Sequence, residues 1–450
     1  MTSEAMAQAA QIAEVIRSRA VHPVFQPVFD LATTEIVGFE ALARGPHGSA
    51  MESPRALFGA ARQHGYTAEL DWVCRAAAFE TFLDSDAPPA LTLLINAEPE
   101  SLGVECPDDL LPVVHKAESS LRVMVEVNDR ALAEDPAQLL AVERRAREMG
   151  WGIVLDDVGS GPGANAMIPV MRPDMVKIDL ALLRAVSDAS AAAVILAATR
   201  HAERTGASLC VESIENEEDV HFARALGAAY GQGHHLGAPG PLPHNLRAPR
   251  KPIPLVAPSD GDVAGRTPWD LVDHVETRRV DPDHFVEWAR VIARGSIAPG
   301  AAPIILAGVG RDGFDGDVAA TFPQQDVPLL SAAFGVGIEE EPLPGLRGVR
   351  LTADDPLASV PFLVVISPAG GFALLGRGEP DGKILALVTQ DNATVDDIAR
   401  HLMRRIPRVG GNGMALEPTA PIARDPQESS HEHPDEGAGG GRRLFARRER

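Results

Sequence analysis

Short apolar runs alternate with longer stretches in which apolar residues recur at helical spacing along the first half of the chain. The strand candidates are 22–30, 35–41, 90–96, 121–127, 151–156, 174–178 and 207–212, and the helix candidates are 7–20, 54–65, 69–86, 136–149, 179–206 and 215–227. This alternation favours a parallel α/β sheet or barrel. The link 31–34 between the first two strands suits a hairpin, so we expect one early strand to run antiparallel.

A second set of elements follows a proline-rich segment, which we expect to be extended and fairly stiff. Its predicted helices are 268–279, 282–294 and 395–406, and its predicted strands are 303–309, 329–333, 347–351, 361–367, 371–376 and 383–389. The end of the chain is rich in Gly, Pro, Glu and Arg and poor in apolar residues, which predicts disorder. The expected organisation is a barrel domain over 1–245, a linker over 246–264, a smaller α/β domain over 265–410 and a disordered tail over 411–450.

Length and composition limit the partners and the cellular location expected for this chain. A chain of 450 residues is long enough for two or three domains with full cores. The net charge of -22 argues against binding nucleic acid polymers or anionic membranes. No apolar run is long enough to span a membrane, the first residues do not resemble a signal peptide, and the three cysteines lie far apart. These features predict a cytoplasmic protein without a membrane partner.

Polar residues that could bind metals or act in catalysis stand at or near the ends of the strand candidates. They are Glu40, Asn96, Glu126, Asp156, Asp157, Lys177, Glu212 and Gln232. Because barrel strands bring their carboxyl ends to one mouth, these side chains would gather there. Hard divalent cations take oxygen ligands, and two such cations can clamp a phosphodiester under attack. Any one of these residues alone could be a solvated strand end, but the whole set predicts a metal-dependent site.

Two side chains of this set suggest more than metal binding. Lys177 could orient an attacking water or steady a phosphoryl oxygen. Glu212 could be a metal ligand or a base acting on that water.

The order and spacing of these residues resemble a known family. Residues 10–245 resemble the EAL-domain cyclic-di-GMP phosphodiesterases. The motifs that carry the resemblance are Gln26-Pro27, Glu40-Ala41-Leu42-Ala43-Arg44, Asn96, Glu126-Val127-Asn128-Asp129, Asp156-Asp157-Val158-Gly159, Lys177-Ile178-Asp179, Glu212-Ser213-Ile214-Glu215 and Gln232-Gly233. The resemblance implies a modified TIM (β/α)8 barrel that hydrolyses cyclic-di-GMP to linear pGpG by metal-activated water. It also implies a two-metal site for Mg²⁺ or Mn²⁺ and a homodimer formed through the barrel.

Residue roles follow from the resemblance position by position. The first metal would be held by Glu40, Asn96, Glu126 and Asp156, and the second by Asp156, Asp157 and Glu212. Lys177, Glu212 and Asp157 would carry the catalysis. The substrate would be bound by Gln26, Arg44, Gln232 and Asp179, and the loop after the aspartate pair would be anchored by Asp129 and Glu215.

The chain departs from the family in the loop over 158–166. The family usually has Asp-Phe-Gly-Thr-Gly-Tyr-Ser-Ser, where this chain reads Asp157-Val158-Gly159-Ser160-Gly161-Pro162-Gly163-Ala164. Two alternatives to an active enzyme therefore stay open. One is a weak or inactive EAL domain that acts as a cyclic-di-GMP receptor, and the other is a signalling scaffold.

The second unit is similar to the DICT domain, a presumed sensory module. The similarity rests mainly on core stretches such as Phe362-Leu363-Val364-Val365-Ile366 and Leu387-Val388-Thr389-Gln390-Asp391. It implies that residues 265–410 regulate the barrel in response to a signal or partner that the sequence leaves unidentified.

Overall fold

The structure is a computed structural model of the 450-residue chain. It describes residues 3–101, 103–158, 163–256, 267–272, 275–296, 302–310, 322, 328–367 and 370–408. The predicted tail over 411–450 lies outside the described residues, as do the last residues of the predicted linker and the first four residues of the loop after Val158.

The first half of the chain forms a closed barrel of eight strands with helices between them. The strands are β1 His22–Asp30, β2 Ile36–Arg44, β3 Thr92–Asn96, β4 Arg122–Val127, β5 Gly152–Val158, β6 Met175–Asp179, β7 Ser208–Glu212 and β8 Tyr230–Gly231. Strand β1 pairs antiparallel with both β2 and β8, and the other neighbours run parallel. The predicted modified TIM barrel with one antiparallel strand is confirmed.

Helices precede and connect the strands of the barrel. They are α1 Ser3–Arg17, α2 Pro54–His64, α3 Thr67–Leu83, α4 Leu111–Ser120, α5 Asp129–Glu134, α6 Pro136–Glu148, α7 Gly163–Met171, α8 Leu180–Ala185, α9 Asp188–Thr205 and α10 Glu217–Ala225. The single helix predicted over 179–206 is wrong, because the chain breaks into α8 and α9. Ser187 is extended there, and its side chain accepts from the backbone N–H of Ser190 as an N-cap.

A layer of side chains fills the barrel near the amino-terminal ends of its parallel strands. Each strand contributes one residue to this buried cluster: Val28, Val37, Leu94, Met124, Val154, Met175, Cys210 and Tyr230. The segment after the barrel completes the layer, because Ile253 is fully buried in the same cluster. Arg122 donates to the Ile253 carbonyl, and the Val256 N–H donates to Asp174 Oδ1 at 2.6 Å. Part of the segment predicted as a linker therefore closes the bottom of the barrel.

The second part of the chain is built on a seven-stranded sheet of order β12-β11-β10-β13-β14-β15-β9. Its strands are β9 Arg278–Val280, β10 Ile304–Gly310, β11 Leu330–Val336, β12 Arg347–Leu351, β13 Phe362–Ser367, β14 Gly370–Gly378 and β15 Ile384–Thr389. Helix α11 Pro282–Ser296 covers one face through Phe285, Ala289 and Ala293. Helix α12 Asn392–Met403 packs against β13 and β14. The predicted smaller α/β part is confirmed.

The helix predicted over 268–279 is wrong. A short 3-10 turn spans Pro268–Leu271, and residues 278–280 form the edge strand β9, which pairs antiparallel with β15. Thr267 and Asp270 make a capping box around this turn, so the local start signal was correct. Edge pairing in the sheet then competes with continuation of the helix. Within the described ranges, no helix is long and apolar enough to cross a membrane.

Helix α12 also packs against the barrel helices α6 and α7. Its Arg400 is buried, donates to the Val170 carbonyl of α7 and pairs with Glu143 Oε2 of α6 at 2.9 Å. Arg347 donates to the Ala133 carbonyl at the end of α5. The second part of the chain is therefore fastened to the helices that follow β4 and β5.

The substitution Arg400→Met should lower the free energy of unfolding by about 3 kcal/mol, because it leaves the buried Glu143 without its partner on α12. Urea unfolding measures the change. Arg279→Met, which breaks an exposed pair with Asp381, is the matched control and should leave stability unchanged within error. Equal effects from the two variants would contradict a stabilising role for the Arg400 contact.

Candidate active site

The residues predicted at strand ends do meet at one mouth of the barrel. Lys177 on β6 extends across the interior and is 1% exposed. Its Nζ lies within ion-pair distance of carboxylates from four other strands: Glu40 Oε2 at 3.0 Å, Glu126 Oε1 at 2.9 Å, Asp156 Oδ1 at 3.2 Å and Glu212 Oε1 at 2.8 Å. One ammonium group thus joins β2, β4, β5, β6 and β7.

Two adjacent aspartates reach the same mouth because β5 is irregular at its end. The pairing of β5 with β6 shifts register between Leu155 and Val158. Asp157 adopts a left-handed backbone with φ of 55° in that stretch. Neighbouring side chains on a regular strand would point to opposite faces. With the bulge, ligand oxygens of Asp156, Asp157 and Glu212 lie within 4.8 Å of one another.

Amide side chains fix the position of Glu40. Gln232 Nε2 donates to Glu40 Oε2 at 2.8 Å and to Gln26 Oε1 at 3.1 Å. Asn96 Nδ2 donates to Glu40 Oε1 at 3.2 Å. Gly233 permits this arrangement because its φ is 155° and a Cβ there would lie 2.2 Å from the Ile214 carbonyl oxygen. The predicted Gln26, Asn96 and Gln232 therefore belong to the site.

The electrostatics of the site are dominated by excess negative charge. Burial, reinforced by neighbouring acids, raises the pKa of Glu126 well above its usual range. Burial likewise raises the pKa of Glu212, although Lys177 opposes the shift. Burial and then Asp156 raise the pKa of Asp157 to about 6. The raised pKa values follow first from burial and then from the excess of carboxylates over the Lys177 ammonium.

Lys177 shows the converse effect. Burial alone would lower its pKa, but Asp156, Glu126, Glu212 and Glu40 together raise it well above the usual lysine range. The ammonium group therefore stays protonated, and it cannot act as a base.

The donor set fits a divalent cation. Glu126 Oε2 is buried and accepts no hydrogen bond from the described residues, and Glu126 Oε1 and Asp156 Oδ1 are buried beside the Lys177 ammonium. Asp156, Asp157 and Glu212 form a compact cluster of oxygen donors. Oxygen ligands of this kind suit Mg²⁺ or Mn²⁺, and a cation would supply the charge that the carboxylates lack.

Comparison with known families agrees with this geometry. The EAL domain profile matches residues 7–239, about half of the chain. The chain belongs to the EAL domain family. The matched range ends just after Gln232 and contains each of the side chains that meet at the mouth of this EAL barrel.

Several curated proteins resemble the EAL domain of this chain. The probable cyclic di-GMP phosphodiesterase PdeB of Escherichia coli is 29% identical over 228 residues, which cover 50% of this chain and 43% of PdeB. The cyclic di-GMP phosphodiesterase RocR of Pseudomonas aeruginosa is 26% identical over 252 residues, which cover 54% of this chain and 64% of RocR. The chain thus spans less than two thirds of either relative.

Among solved structures, the PaMucR phosphodiesterase in complex with c-di-GMP matches with a TM-score of 0.45 and 22% identity. The match covers 52% of this chain and 98% of that one.

A pocket with a volume of about 240 Å³ opens beside the carboxylates of the EAL barrel. Glu40 and Asn96 line its inner end, and Asp71 and Arg75 of α3 line its wall. Arg75 pairs with the buried Asp71 at 2.8 Å and lies 3.8 Å from the centre of the Trp72 ring. Sequence reasoning missed Asp71 and Arg75. Their i,i+4 spacing was a visible signal, but that spacing is also typical of pairs on solvated helix faces.

Other predicted residues lie around the EAL site without joining the carboxylate cluster. Arg44, at the end of β2, donates to the Ala43 carbonyl at 2.9 Å, and burial lowers its pKa. Asp179 caps α8 by accepting from the backbone of Ala181 and Leu182. Glu215 is exposed and lies 3.1 Å from His234. The side chain of Asp129 lies outside the described residues.

Replacing Lys177 by Met should destabilise the metal-free protein by about 3–5 kcal/mol at neutral pH, because four carboxylates would lose their shared cation. Urea unfolding in EDTA measures the loss. Lys383→Met, which removes a more exposed lysine paired with Asp281, is the control. A Lys177 variant as stable as this control would show that the ammonium does not hold the carboxylates together.

Proposed function

We propose that this chain hydrolyses cyclic di-GMP to linear pGpG with the help of Mg²⁺ or Mn²⁺. The observation that carries the proposal is the cluster of Lys177 with Glu40, Glu126, Asp156 and Glu212 beside an open pocket. The cluster supplies oxygen ligands and one fixed positive charge, and the pocket gives a substrate access to them. Membership in the EAL family and the cyclic di-GMP phosphodiesterase activity for which PdeB and RocR are named support the same substrate.

The carboxylates would hold the metals in two overlapping sets. Glu40, Asn96, Glu126 and Asp156 would hold one, and Asp156, Asp157 and Glu212 the other. When bound, the cations would lower the pKa of water and stabilise negative charge on the phosphodiester.

The protein side chains would position the reactants and handle the proton. Lys177 Nζ, which stays charged, would donate hydrogen bonds to the attacking water or to a phosphoryl oxygen. Glu212, whose carboxylate lies 2.8 Å from Lys177 Nζ, would accept the proton of that water. Gln26 and Gln232 would keep Glu40 oriented through the hydrogen bonds described above. Arg44 and Asp179 would contact the substrate, with Glu215 and Asp129 supporting the loop after Asp157.

The second part of the chain would regulate the EAL barrel. Residues 265–410 would act as a DICT-like sensory domain, and two EAL barrels would pair as a homodimer. The contacts of α12 with α6 and α7 support the sensory role, because these helices adjoin the strands that carry Glu126, Asp156 and Asp157.

A receptor without hydrolytic activity is the second candidate. The unusual sequence from Val158 to Ala164 favours it, because a loop that directly follows the metal-binding aspartates can tune the site. Residues 159–162 of this loop lie outside the described residues.

Glu212→Gln should lower the rate of pGpG formation at least about 100-fold, because the amide cannot accept the proton of water. Lys177→Ala should abolish turnover as well, since it removes the fixed charge. Formation of pGpG is measured chromatographically with Mg²⁺ or Mn²⁺, and calorimetry checks that cyclic di-GMP still binds. Glu215→Gln, which alters an exposed acid close by, is the control and should stay near the wild-type rate. Near-normal hydrolysis by Glu212→Gln would refute its role, and binding without any wild-type product would favour the receptor.

Glu126→Gln should weaken Mn²⁺ binding at least about tenfold, because it removes the negative charge of a buried ligand whose Oε2 accepts no hydrogen bond from the described residues. Calorimetric titration with Mn²⁺ and the Mn²⁺-induced rise in melting temperature measure this without reference to activity. Glu217→Gln on the exposed start of α10 is the control. Unchanged Mn²⁺ affinity in Glu126→Gln would remove Glu126 from the proposed ligand set.

A further inference from the structure

A pair of stacked histidines lies at the rim of the EAL barrel. His22 begins β1, and His47 lies in the loop between β2 and α2. Their ring centroids are 3.9 Å apart, and the two ring planes are inclined by 34°. Neither residue belongs to the set of side chains that would hold the metals. The pair is therefore a separate cluster of titratable groups, and its position relative to the mouth decides what it can bind.

The register of β1 and β2 sets the direction in which His22 points. His22 is opposite Arg44, and Gln26 is opposite Glu40 further along the same two strands, with no shift of register between the two pairs. Side chains two and four positions apart on a strand share a face of the sheet. Gln26 and Glu40 face the barrel interior, where Gln232 contacts both of them. His22 and Arg44 therefore face the mouth on the same side as Glu40.

The open pocket beside the carboxylates extends to this rim. Pro23, Leu42 and Ala43 line the pocket. Pro23 directly follows His22, and Ala43 directly precedes Arg44. A ligand that extends along β2 from the carboxylates would therefore reach the stacked histidines and the arginine.

The two imidazole rings have nitrogens available for a ligand. His47 Nδ1 lies 3.3 Å from Glu52 Oε1, which leaves Nε2 of the same ring for another partner. Glu52 also accepts the Gly48 N–H at 3.0 Å, so the loop holds His47 in place. Among the described residues, the His22 ring stacks on His47 and makes no hydrogen bond. Protonation would turn the free ring nitrogens into donors, which is what an anionic oxygen requires.

Positive charge can accumulate at this rim when the pH falls. The charged and titratable groups that face His22 are Arg44 of β2 and His47 and Glu52 of the following loop. Burial, followed by His47 and Arg44, lowers the pKa of His22, whereas Glu52 opposes the shift. The ring is therefore neutral at neutral pH. A bound anion would offset the repulsion among the cations and favour the protonated ring, so affinity for an anion should increase as the pH falls.

We propose that His22 and His47, together with Arg44, bind the phosphodiester of cyclic di-GMP that is not cleaved. The reacting phosphodiester would lie at the carboxylate cluster, and the rim would hold the other one. The proposal rests on the proposed function, because it takes cyclic di-GMP as the ligand of the mouth. It makes the affinity for the substrate, rather than the chemical step, depend on the protonation of the histidine pair.

Calorimetric titration of the full chain with cyclic di-GMP, at about pH 6 and at about pH 8, tests the proposal. Ca²⁺, which also takes oxygen ligands, fills the metal positions, and chromatography checks that the ligand stays intact. In the double variant His22→Gln, His47→Gln, affinity at the lower pH should fall about fivefold or more, because neutral amides gain no charge. Affinity at the higher pH should change little. His47→Gln alone, at a side chain that is 80% exposed, should change affinity in the same direction.

The difference between wild type and variant is the measure, because the carboxylates of the site also titrate. Asp157, for example, has a pKa of about 6. The control is His284→Gln, which removes an exposed histidine paired with Asp281 in the second part of the chain. It should bind cyclic di-GMP as the wild type does at both pH values.

Three results separate this proposal from the proposed function. Unchanged affinity of the double variant at both pH values, or an equal loss at both, would overturn the proposal, because neither reveals a contact that depends on protonation. Absence of cyclic di-GMP binding by the wild type would overturn it together with the proposed substrate. Binding without hydrolysis in Mg²⁺ or Mn²⁺ would refute only the hydrolysis, and the variants would still decide the role of the histidines.

Discussion

The site depends on charge balance inside the barrel mouth. Five carboxylates surround a single buried ammonium, that of Lys177, which contacts four of them directly. The balance is incomplete, because burial and mutual repulsion raise the pKa of Glu126 and of Asp157. Such a centre is organised by its lysine but still lacks positive charge. That deficit accounts for its fit to divalent cations, whereas the Lys177 ammonium holds the carboxylates close together before a cation binds.

The opposite end of the barrel and its outer helices contact the second part of the chain and the segment that leads to it. Ile253 completes the buried layer at the amino-terminal ends of the strands, so the segment leading to the second part is also barrel core. Arg400 then joins α12 to α6 and α7, the helices that flank strand β5, which carries Asp156 and Asp157. Glu143 also contacts Arg147, which binds Asp174 just before β6. Ionic and hydrogen-bonded contacts therefore connect the second part of the chain to the barrel strands of the site.

Most strands were predictable because each one is a short apolar run with a polar residue at its end. β1, for example, spans residues 22–30 as the sequence predicted. Helix breaks and edge strands were harder to predict. The division of 179–206 depends on a cap at Ser187, and β9 forms because β15 offers an unpaired edge. The Ser187 cap is a local signal inside a long run of helical spacing, whereas local propensity does not contain the partner of β9, which lies far along the chain.

The sequence by itself determined which chemistry the barrel carries, because strand period and parallel topology bring Glu40, Asn96, Glu126, Asp156 and Glu212 to one mouth. Only the tertiary structure decided which of these charged groups contact one another. Lys177 reaches Glu40 from the far side of the barrel, and a bulge at Asp157 turns two adjacent aspartates toward one place. The buried contact between Arg400 and Glu143 also exists only after folding, since 257 residues separate the two along the chain. Contacts over such separations depend on packing between elements, which the local pattern of residues does not encode.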